Sequence, residues 1–206
     1  MTRVLSGAVL VVLVVAIVWF APAAVFETFA VAVGLVGAWE LFRLLSAGVL
    51  PAMAFAAIYV AAPLASLVAI RLAGGPQAVF LLMITVMISD TAQYYTGRTL
   101  GSRPLAPRIS PKKTIEGAIG GLVIGTAAFV GIGAWWAAGI PIAARIVLGL
   151  AIVALGIAGD LFESFLKRRA GVKDSSALIP GHGGVLDRID ALLFAAPVYY
   201  LVLKYV

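Results

Sequence analysis

The chain has 206 residues, of which 63% are hydrophobic and 12% charged, and it carries a formal net charge of +6 with no cysteine. A soluble domain is nearer about 45–50% apolar and about 25% charged, so an ordinary water-soluble domain is excluded. The absence of cysteine excludes disulfides and thiolate metal sites. The composition predicts a protein whose main solvent is lipid.

Seven apolar runs follow one another along the chain, each close to the roughly 20 residues that a helix needs to cross a bilayer. They lie at residues 4–20, 25–45, 52–70, 76–95, 115–140, 143–165 and 186–205. The runs lack the alternation of a barrel strand, so they are predicted to be helices. The predicted fold is all-α, a polytopic transmembrane bundle of about seven spans. We expect a single domain over residues 1–206, with N-terminal helices at 1–75 and a second part at 76–206 that holds most of the charged residues.

The charged residues are divided unevenly between the two ends of these helices. Twelve of the 15 Lys and Arg residues fall on the side of the N-terminus, and Arg71, Arg145 and Lys204 fall on the other. The positive-inside rule makes the first side cytoplasmic. Every carboxylate except Glu27 maps to the same side, and because acidic residues do not follow that rule, a cytoplasm-facing polar cavity is predicted. A cleaved signal peptide is the alternative for the first run, although the run is long for one.

The loop at residues 97–114 holds five cations and no carboxylate. This pattern indicates an anion-binding surface, and positive-inside charge alone is the alternative. Ser110 and Pro111 look like the N-cap and first residue of the next helix, which would place Lys112 and Lys113 in its first turn. Cations there oppose the helix dipole. A bound phosphate would reverse that penalty, since helix amides and two ammonium groups would meet one anion.

Three of the predicted helices carry polar stripes near their cytoplasmic ends. The stripes are Asp90, Gln93, Tyr94 and Gly97; Asp160, Glu163, Ser164 and Lys167; and Asp187 with Asp190. Residues so spaced lie on one helix face. A carboxylate at the bilayer centre costs about 2.5–3.5 kcal/mol, so the stripes are expected to face one another or water. Asp160 and Lys167 lie about 10 Å apart along a helix, the size of a nucleotide triphosphate tail.

Several carboxylates without cysteine suit a hard cation such as Mg²⁺, which takes few protein oxygens and shares phosphate oxygens with a substrate. Buried ion pairs of Asp160 and Asp187 with Arg168 or Arg188 are the alternative interpretation. Asp187 and Asp190 also suit a helix N-terminus for electrostatic reasons alone.

Two further features each allow two interpretations. His182, which lies among glycines, is either a loop residue with a structural hydrogen bond or a general base. Gly117, Gly121 and Gly125 recur at every fourth position, which is typical of a close-packing helix face. That face packs either within the chain or against a second subunit.

Residues 164–190 resemble the signature of the phosphatidate cytidylyltransferases, the CDP-diacylglycerol synthases. The likeness rests on Ser164, Lys167, Arg168, Lys173, Asp174, the run Leu178 to Gly184, and Leu186 to Asp190. A second block is similar at Asp90, Tyr94, Gly97, Arg98, the run Ile109 to Thr114, Glu116 and Gly117. Gln93 departs from the expected alanine. The chain is also shorter than most members, which implies that one or two N-terminal spans are missing.

The resemblance implies transfer of a cytidylyl group from CTP to the phosphate of phosphatidate, giving CDP-diacylglycerol and pyrophosphate. Mg²⁺ is the implied cofactor, with ligands at Asp160, Asp187 and, as a third choice, Asp190. The resemblance makes residues 76–206 the catalytic part of the domain, and Lys167 and Lys173 join Asp160 and Asp187 as implied catalytic residues. The implied substrate-binding residues are Asp90, Tyr94, Ser110, Lys112, Lys113, Glu116, Arg168, Asp174, His182 and Arg188.

The expected location is a bacterial-type inner membrane with the active site facing the cytoplasm. The expected partners are CTP, phosphatidate and the bilayer, with no nucleic acid, and a homodimer is a further expectation. A CTP-dependent polyprenol kinase or an archaeal-type lipid cytidylyltransferase is the alternative enzyme, since acceptor choice lies in a lipid-facing groove. A transporter is the second alternative. It would need a pathway open to both faces, and the far side offers only four charges, Glu27, Arg71, Arg145 and Lys204.

Overall fold

The computed structural model describes residues 2–45 and 48–205, and most of them are helical. The helices are α1 Thr2–Phe20, α2 Ala23–Leu44, α3 Val49–Ala56, α4 Ala62–Leu100, α5 Ile115–Trp136, α6 Ile142–Arg169 and α7 Leu186–Tyr205. A π-helical turn, Ala57–Ala61, joins α3 to α4. Strands β1 Pro104–Ala106 and β2 Ser110–Thr114 pair as an antiparallel hairpin before α5. The all-α prediction is confirmed, and the hairpin is the addition to it.

Four helical stretches of the described chain are long and apolar enough to cross a membrane. They are Ala23–Leu44, Val49–Leu100, Ile115–Trp136 and Ile142–Arg169. The second has 52 residues, about 78 Å at 1.5 Å per residue, which is more than twice the roughly 30 Å hydrocarbon core. It is broken at Gly75, whose φ of 72° and ψ of −173° are not helical, just before Pro76. This break separates the third and fourth predicted spans, and the count of seven stays a prediction.

Side-chain contacts identify the two ends of the bundle. At one end, the ring of Trp19 packs against Phe80 and Trp136, with centroids 5.4 and 5.7 Å apart. At the other end, Glu40 of α2 accepts a hydrogen bond from the backbone N–H of Leu186, the first residue of α7. We call these the far end and the site end. The end of α1 and the end of α5 lie at the far end, whereas α2 ends and α7 begins at the site end.

The glycine stripe of α5 packs against α4. A Cβ atom at Gly117 would lie 2.8 Å from the backbone oxygen of Gln93, and one at Gly125 would lie 2.9 Å from the Cβ of Ser89. Only glycine allows this approach, so the interpretation of the stripe as packing within the chain agrees with the structure. Gln93, the departure from the family pattern, also donates a hydrogen bond of 2.9 Å to Asp90.

The helix start predicted at Ser110 is wrong. Ser110 begins β2, and α5 begins at Ile115 after the N-cap Thr114, whose hydroxyl accepts the backbone N–H of Gly117 at 3.1 Å. Threonine is also a favoured N-cap residue, and the later start places residues 112–113 on an extended strand. The two lysines there therefore do not oppose the dipole of α5. The argument that a phosphate must offset unfavourable cations in the first turn of this helix no longer applies.

The positions of the loops give a first testable prediction. Single cysteines at Ser102 and Asp174 should react with a membrane-impermeant maleimide from one side of the membrane, and one at Gly139 from the other. Ser175 is 7% exposed and a Cβ at Gly74 would lie 2.6 Å from a neighbouring side chain, so neither is a suitable probe. Opposite labelling of Ser102 and Asp174 would contradict the seven-span topology.

Candidate active site

The site end is organised around a carboxylate that was not among the predicted site residues. Glu40 is fully buried. Its carboxylate accepts hydrogen bonds from the hydroxyls of Ser175 and Ser176, at 3.0 and 2.6 Å, and from the backbone N–H groups of Val185 and Leu186, at 3.0 and 2.7 Å. An anion at these amides favours the helix that begins there. Glu40 of α2 therefore fixes the start of α7. The signal in the sequence was a single acid near the end of an apolar helix.

Asp187 holds the loop before α7 in its folded shape. Its Oδ2 accepts hydrogen bonds from the N–H groups of Ser175 and Gly184, at 3.0 and 2.7 Å, and it shares with Glu40 the single hydroxyl proton of Ser175, whose oxygen lies 2.9 Å away. Gly183 has a positive φ of 81°, and a Cβ there would lie 2.5 Å from the same oxygen. The loop therefore closes around the carboxylate, and the glycines of the signature make that closure sterically possible.

The ammonium group of Lys167 lies between two carboxylates. It donates to Oδ1 of Asp187 at 2.5 Å, and it forms an ion pair with Glu163 one helical turn earlier on α6. The side chains are 11% exposed for Lys167 and 0% for Glu163. Buried charges of this kind are stable only when paired. The group joins α6 to α7.

The β-hairpin contributes a second ion pair to the site end. Lys113 of β2 pairs with Asp160 of α6, and their side chains are 23% and 29% exposed. Asp160 also interacts electrostatically with Asp90 of α4 and Asp190 of α7. The structure thus brings the three predicted polar stripes together, with a basic strand placed over them.

The ion pairs of the aspartates with arginine, the alternative interpretation, are wrong. Arg168 donates instead to the backbone oxygens of Ile109 and Val172, at 3.3 and 2.9 Å. Arg188 donates to the backbone oxygen of His182 at 2.6 Å. Lys167 and Arg168 are consecutive in the last turn of α6, so their side chains leave the helix about 100° apart, and of the two it is Lys167 that reaches the carboxylates. Lys113 reaches Asp160 from strand β2.

Two predicted substrate-binding residues have partners within the protein. The Nδ1 atom of His182 lies 3.1 Å from the hydroxyl of Ser6, which donates to the backbone oxygen of Pro180 at 3.0 Å. This contact fits the structural interpretation of the histidine, because it joins the signature loop to α1. Tyr94 is exposed, and its hydroxyl accepts a hydrogen bond of 2.9 Å from Arg98.

Glu116 braces the turn between α4 and β1. Its carboxylate accepts the backbone N–H groups of Ser102 and Arg103 at 3.1 and 3.2 Å and both their side chains at 2.9 and 3.3 Å. Lys112, Lys173 and Asp174 lie exposed at the site end. Their roles toward a substrate stay predictions.

The donor set fits a divalent metal better at Asp160 than at Asp187. Among residues 2–45 and 48–205, no three His, Asp or Glu side chains are arranged to share an ion. Asp187 already has four hydrogen-bonding contacts, whereas Oδ1 of Asp160 has a long contact of 3.5 Å with Ser164. Mg²⁺ is usually held by one or two carboxylates together with substrate phosphate oxygens. Asp160 and the neighbouring Asp190 could supply such a pair.

Helices long enough to cross a membrane, with buried and paired charges gathered at one end, define a helical membrane protein with a polar site. The chain belongs to the cytidylyltransferase family, whose characteristic sequence it matches over residues 48–206.

Curated relatives agree with this assignment. The chain is 44% identical over 120 residues to a phosphatidate cytidylyltransferase of Aquifex aeolicus, covering 57% of this chain and 44% of that protein. It is 48% identical over 127 residues to one of Haemophilus influenzae, covering 58% and 44%. A protein of Escherichia coli named YnbB is 41% identical over 132 residues, covering 64% and 44%. The aligned part is thus a little under half the length of these relatives.

The hairpin gives different surroundings to Lys112 and Lys113, which were both predicted from the sequence to bind substrate. Lys113→Gln should lower turnover by one to several orders of magnitude, at about 1.4 kcal/mol per tenfold, because Lys113 reaches Asp160. Lys112→Gln, on the exposed side of β2, should cost less than tenfold. Arg103→Gln is the control, because it removes a largely exposed cation that is paired with Glu116. The measurement is kcat in neutral detergent with saturating substrates, and equal small losses for all three would leave only headgroup attraction.

Proposed function

We propose that the chain acts as a phosphatidate cytidylyltransferase, which converts CTP and phosphatidate into CDP-diacylglycerol and pyrophosphate. One observation carries the proposal. The paired charges of Lys113 with Asp160, and of Lys167 with Asp187, meet at one end of a membrane bundle. They lie in the part of the chain that matches the cytidylyltransferase family. Charged residues inside an apolar helical bundle cost free energy, so their presence indicates a functional site.

In the proposed reaction an oxygen of the phosphatidate phosphate attacks the α-phosphorus of CTP. A new P–O bond forms, the bond from the α-phosphorus to the oxygen that bridges it to the β-phosphorus breaks, and pyrophosphate leaves with that electron pair. No general base is required, because a phosphomonoester is already anionic near neutral pH, with a second pKa of about 6. The protein's part is therefore to position two polyanions and to neutralise their charge.

The lysines of the site end are placed for that neutralisation. Lys113 lies at the edge of the site on a strand, so its ammonium group could move from Asp160 to a phosphate oxygen when CTP binds. Lys167 is more deeply buried and keeps the carboxylates of Glu163 and Asp187 paired. Lys173 lies exposed on the loop after α6 and is proposed to contact the outer phosphates. Mg²⁺, held by Asp160 with Asp190, would add the positive charge that polarises the triphosphate.

The lipid acceptor is proposed to enter from the membrane side. An apolar cavity of about 280 Å³ lies between α1, α2, α4 and α7, and its site end is lined by Ile179, Val185 and Arg188. Apolar walls suit an acyl chain, and the guanidinium of Arg188 suits the lipid phosphate. The cavity therefore supports a lipid acceptor for the reaction.

The proposed location is a bacterial-type inner membrane with the site end in the cytoplasm, as the distribution of cations predicts. A homodimer is also proposed. The glycine stripe of α5 is used against α4, so a dimer would need another surface. Blue-native electrophoresis in mild detergent, with cross-linking as a second measurement, tests that association.

The test of the proposed function is product analysis with purified protein in detergent or nanodiscs. CTP, Mg²⁺ and phosphatidate together should give pyrophosphate and CDP-diacylglycerol in equal amounts, and omission of phosphatidate should abolish both. A polyprenol kinase would instead release CDP with a polyprenol acceptor. An archaeal-type enzyme would require an ether-linked phosphate lipid. Absence of product with all three acceptors would contradict an enzymatic role and favour the transporter.

A further inference from the structure

The buried side chain of Tyr59 has no role in the reaction described above. It lies in the π-helical turn between α3 and α4 and is 6% exposed. Within residues 2–45 and 48–205, its buried hydroxyl has no hydrogen-bond partner. Leaving a buried hydroxyl unpaired costs about 1–3 kcal/mol, so such groups are rare in folded proteins. Single π-helical turns occur frequently at functional sites.

Aromatic contacts hold the ring of Tyr59 in one place. The ring stacks on Phe55 with the centroids 5.4 Å apart and the planes 6° apart. It also meets Phe162 of α6 and Phe194 of α7 nearly edge-on, with centroid distances of 5.3 and 6.1 Å. The hydroxyl position is therefore set by three elements and does not depend on a hydrogen bond.

These aromatic residues lie beside the carboxylates of the site. Phe162 lies directly before Glu163 on α6, and Phe194 follows Asp190 by one helical turn on α7. The two helices approach closely here, since a Cβ at Gly159 would lie 2.5 Å from the backbone oxygen of Asp190. The hydroxyl of Tyr59 accordingly interacts electrostatically with Glu163, Asp190 and Asp160.

The chemistry of the neighbours limits what the hydroxyl can do. Ionised carboxylates only accept hydrogen bonds, and the ammonium groups of Lys113 and Lys167 already donate to carboxylates. Tyr59 adds a neutral donor that the described part of the chain leaves unused. An oxygen that arrives with the ligand would accept a hydrogen bond from this donor, and the tyrosine hydroxyl itself adds no charge to the apolar interior.

We infer that the hydroxyl of Tyr59 donates a hydrogen bond to an oxygen that enters the site with the metal and nucleotide. That oxygen is either a phosphate oxygen or a water molecule held by the divalent ion. The inference rests on the proposed function, because both oxygens belong to the CTP and Mg²⁺ of that reaction. It assigns Tyr59 as a residue that contacts the bound ligand and lies outside the sequence signature.

Tyr59→Phe tests the inference because it removes only the oxygen atom. Loss of an unpaired buried hydroxyl should leave the melting temperature of the ligand-free protein unchanged or raise it. The rise in melting temperature caused by CTP with Mg²⁺ should shrink, and KM for CTP should increase about tenfold. KM for phosphatidate should change less than twofold. A purely structural hydrogen bond predicts the reverse, a less stable ligand-free protein with an unchanged response to ligand.

Tyr199→Phe is the matched control. Tyr199 is also buried but packs against Phe129 of α5, in a hydrophobic cluster that does not include Tyr59, so its variant should keep the wild-type response to ligand. Separate titrations with Mn²⁺ alone and with CTP in the presence of chelator distinguish the two oxygens. Weaker Mn²⁺ binding by Tyr59→Phe would indicate the metal-held water, and weaker CTP binding alone would indicate a phosphate oxygen.

The outcomes separate the inference from the proposed function. If the wild-type protein turns over CTP and is stabilised by CTP with Mg²⁺, and Tyr59→Phe behaves identically, the inference is wrong and the proposed function stands. If the wild-type protein neither binds CTP with metal nor releases pyrophosphate, the proposed function fails, and the inference fails with it.

Discussion

Asp187→Asn should abolish turnover and also destabilise the fold. The carboxylate has three hydrogen-bonding contacts with the loop at residues 175–184 and one with Lys167. Asparagine keeps one oxygen and turns an N–H₂ group toward the remaining donors, so either the loop or Lys167 loses its partner. Breaking a buried ion pair from one side costs about 3–5 kcal/mol. Thermal unfolding in detergent and pyrophosphate release from CTP should therefore both change.

The control for stability is Asp174→Asn, because Asp174 belongs to the same loop but is exposed. Its melting temperature should stay close to that of the wild-type protein. A normal melting temperature for Asp187→Asn would show that the network around Lys167 contributes little to the fold. Retained turnover across a Mg²⁺ titration would show that Asp187 has no part in the reaction.

Asp160→Asn should also lose activity but, unlike Asp187→Asn, with little loss of stability. The pair with Lys113 lies at the edge of the site, and partly exposed pairs contribute about 0–1 kcal/mol. The proposed metal site, in contrast, depends on the charge of this carboxylate. We expect turnover to fall at least about a thousandfold, which corresponds to about 4 kcal/mol in the activation barrier.

Glu27→Gln, at the other end of α2, serves as the control for removal of a carboxylate. Combining Asp160→Asn with Lys113→Gln adds information, because a double-mutant cycle isolates the energy that couples the two side chains. If Asp160→Asn kept near wild-type turnover at every Mg²⁺ concentration, the metal assignment would be wrong.

The helices were predictable from sequence because apolar length is a strong local signal. The run at residues 186–205 became α7 with the predicted bounds, and the break near residue 75 was placed correctly. The hairpin was not predicted. Ser110 and Thr114 are both acceptable N-caps, and the choice between them depends on packing of Gly117 against α4, which a single sequence does not reveal.

The meeting of the polar stripes was predicted from the sequence, but their individual contacts were not. The stripes carrying Asp90, Asp160 and Asp190 do meet, as helical periodicity indicated. The partners of the aspartates proved to be lysines, because consecutive residues such as Lys167 and Arg168 leave a helix in different directions, and because Lys113 approaches from a strand that was not predicted. Glu40 was missed, since its partners follow it by more than 130 residues, as the 135-residue separation from Ser175 shows.

The position of Glu40 has a consequence for any attempt to isolate a minimal enzyme. The family match begins at residue 48, yet the first turn of α7 is tied to a side chain of α2. A polypeptide trimmed to the matched boundary would expose two serine hydroxyls and two backbone amides that now share one carboxylate. Supplying residues 1–45 as a separate polypeptide should restore what trimming removes, so the two pieces would behave as complementary fragments of one enzyme.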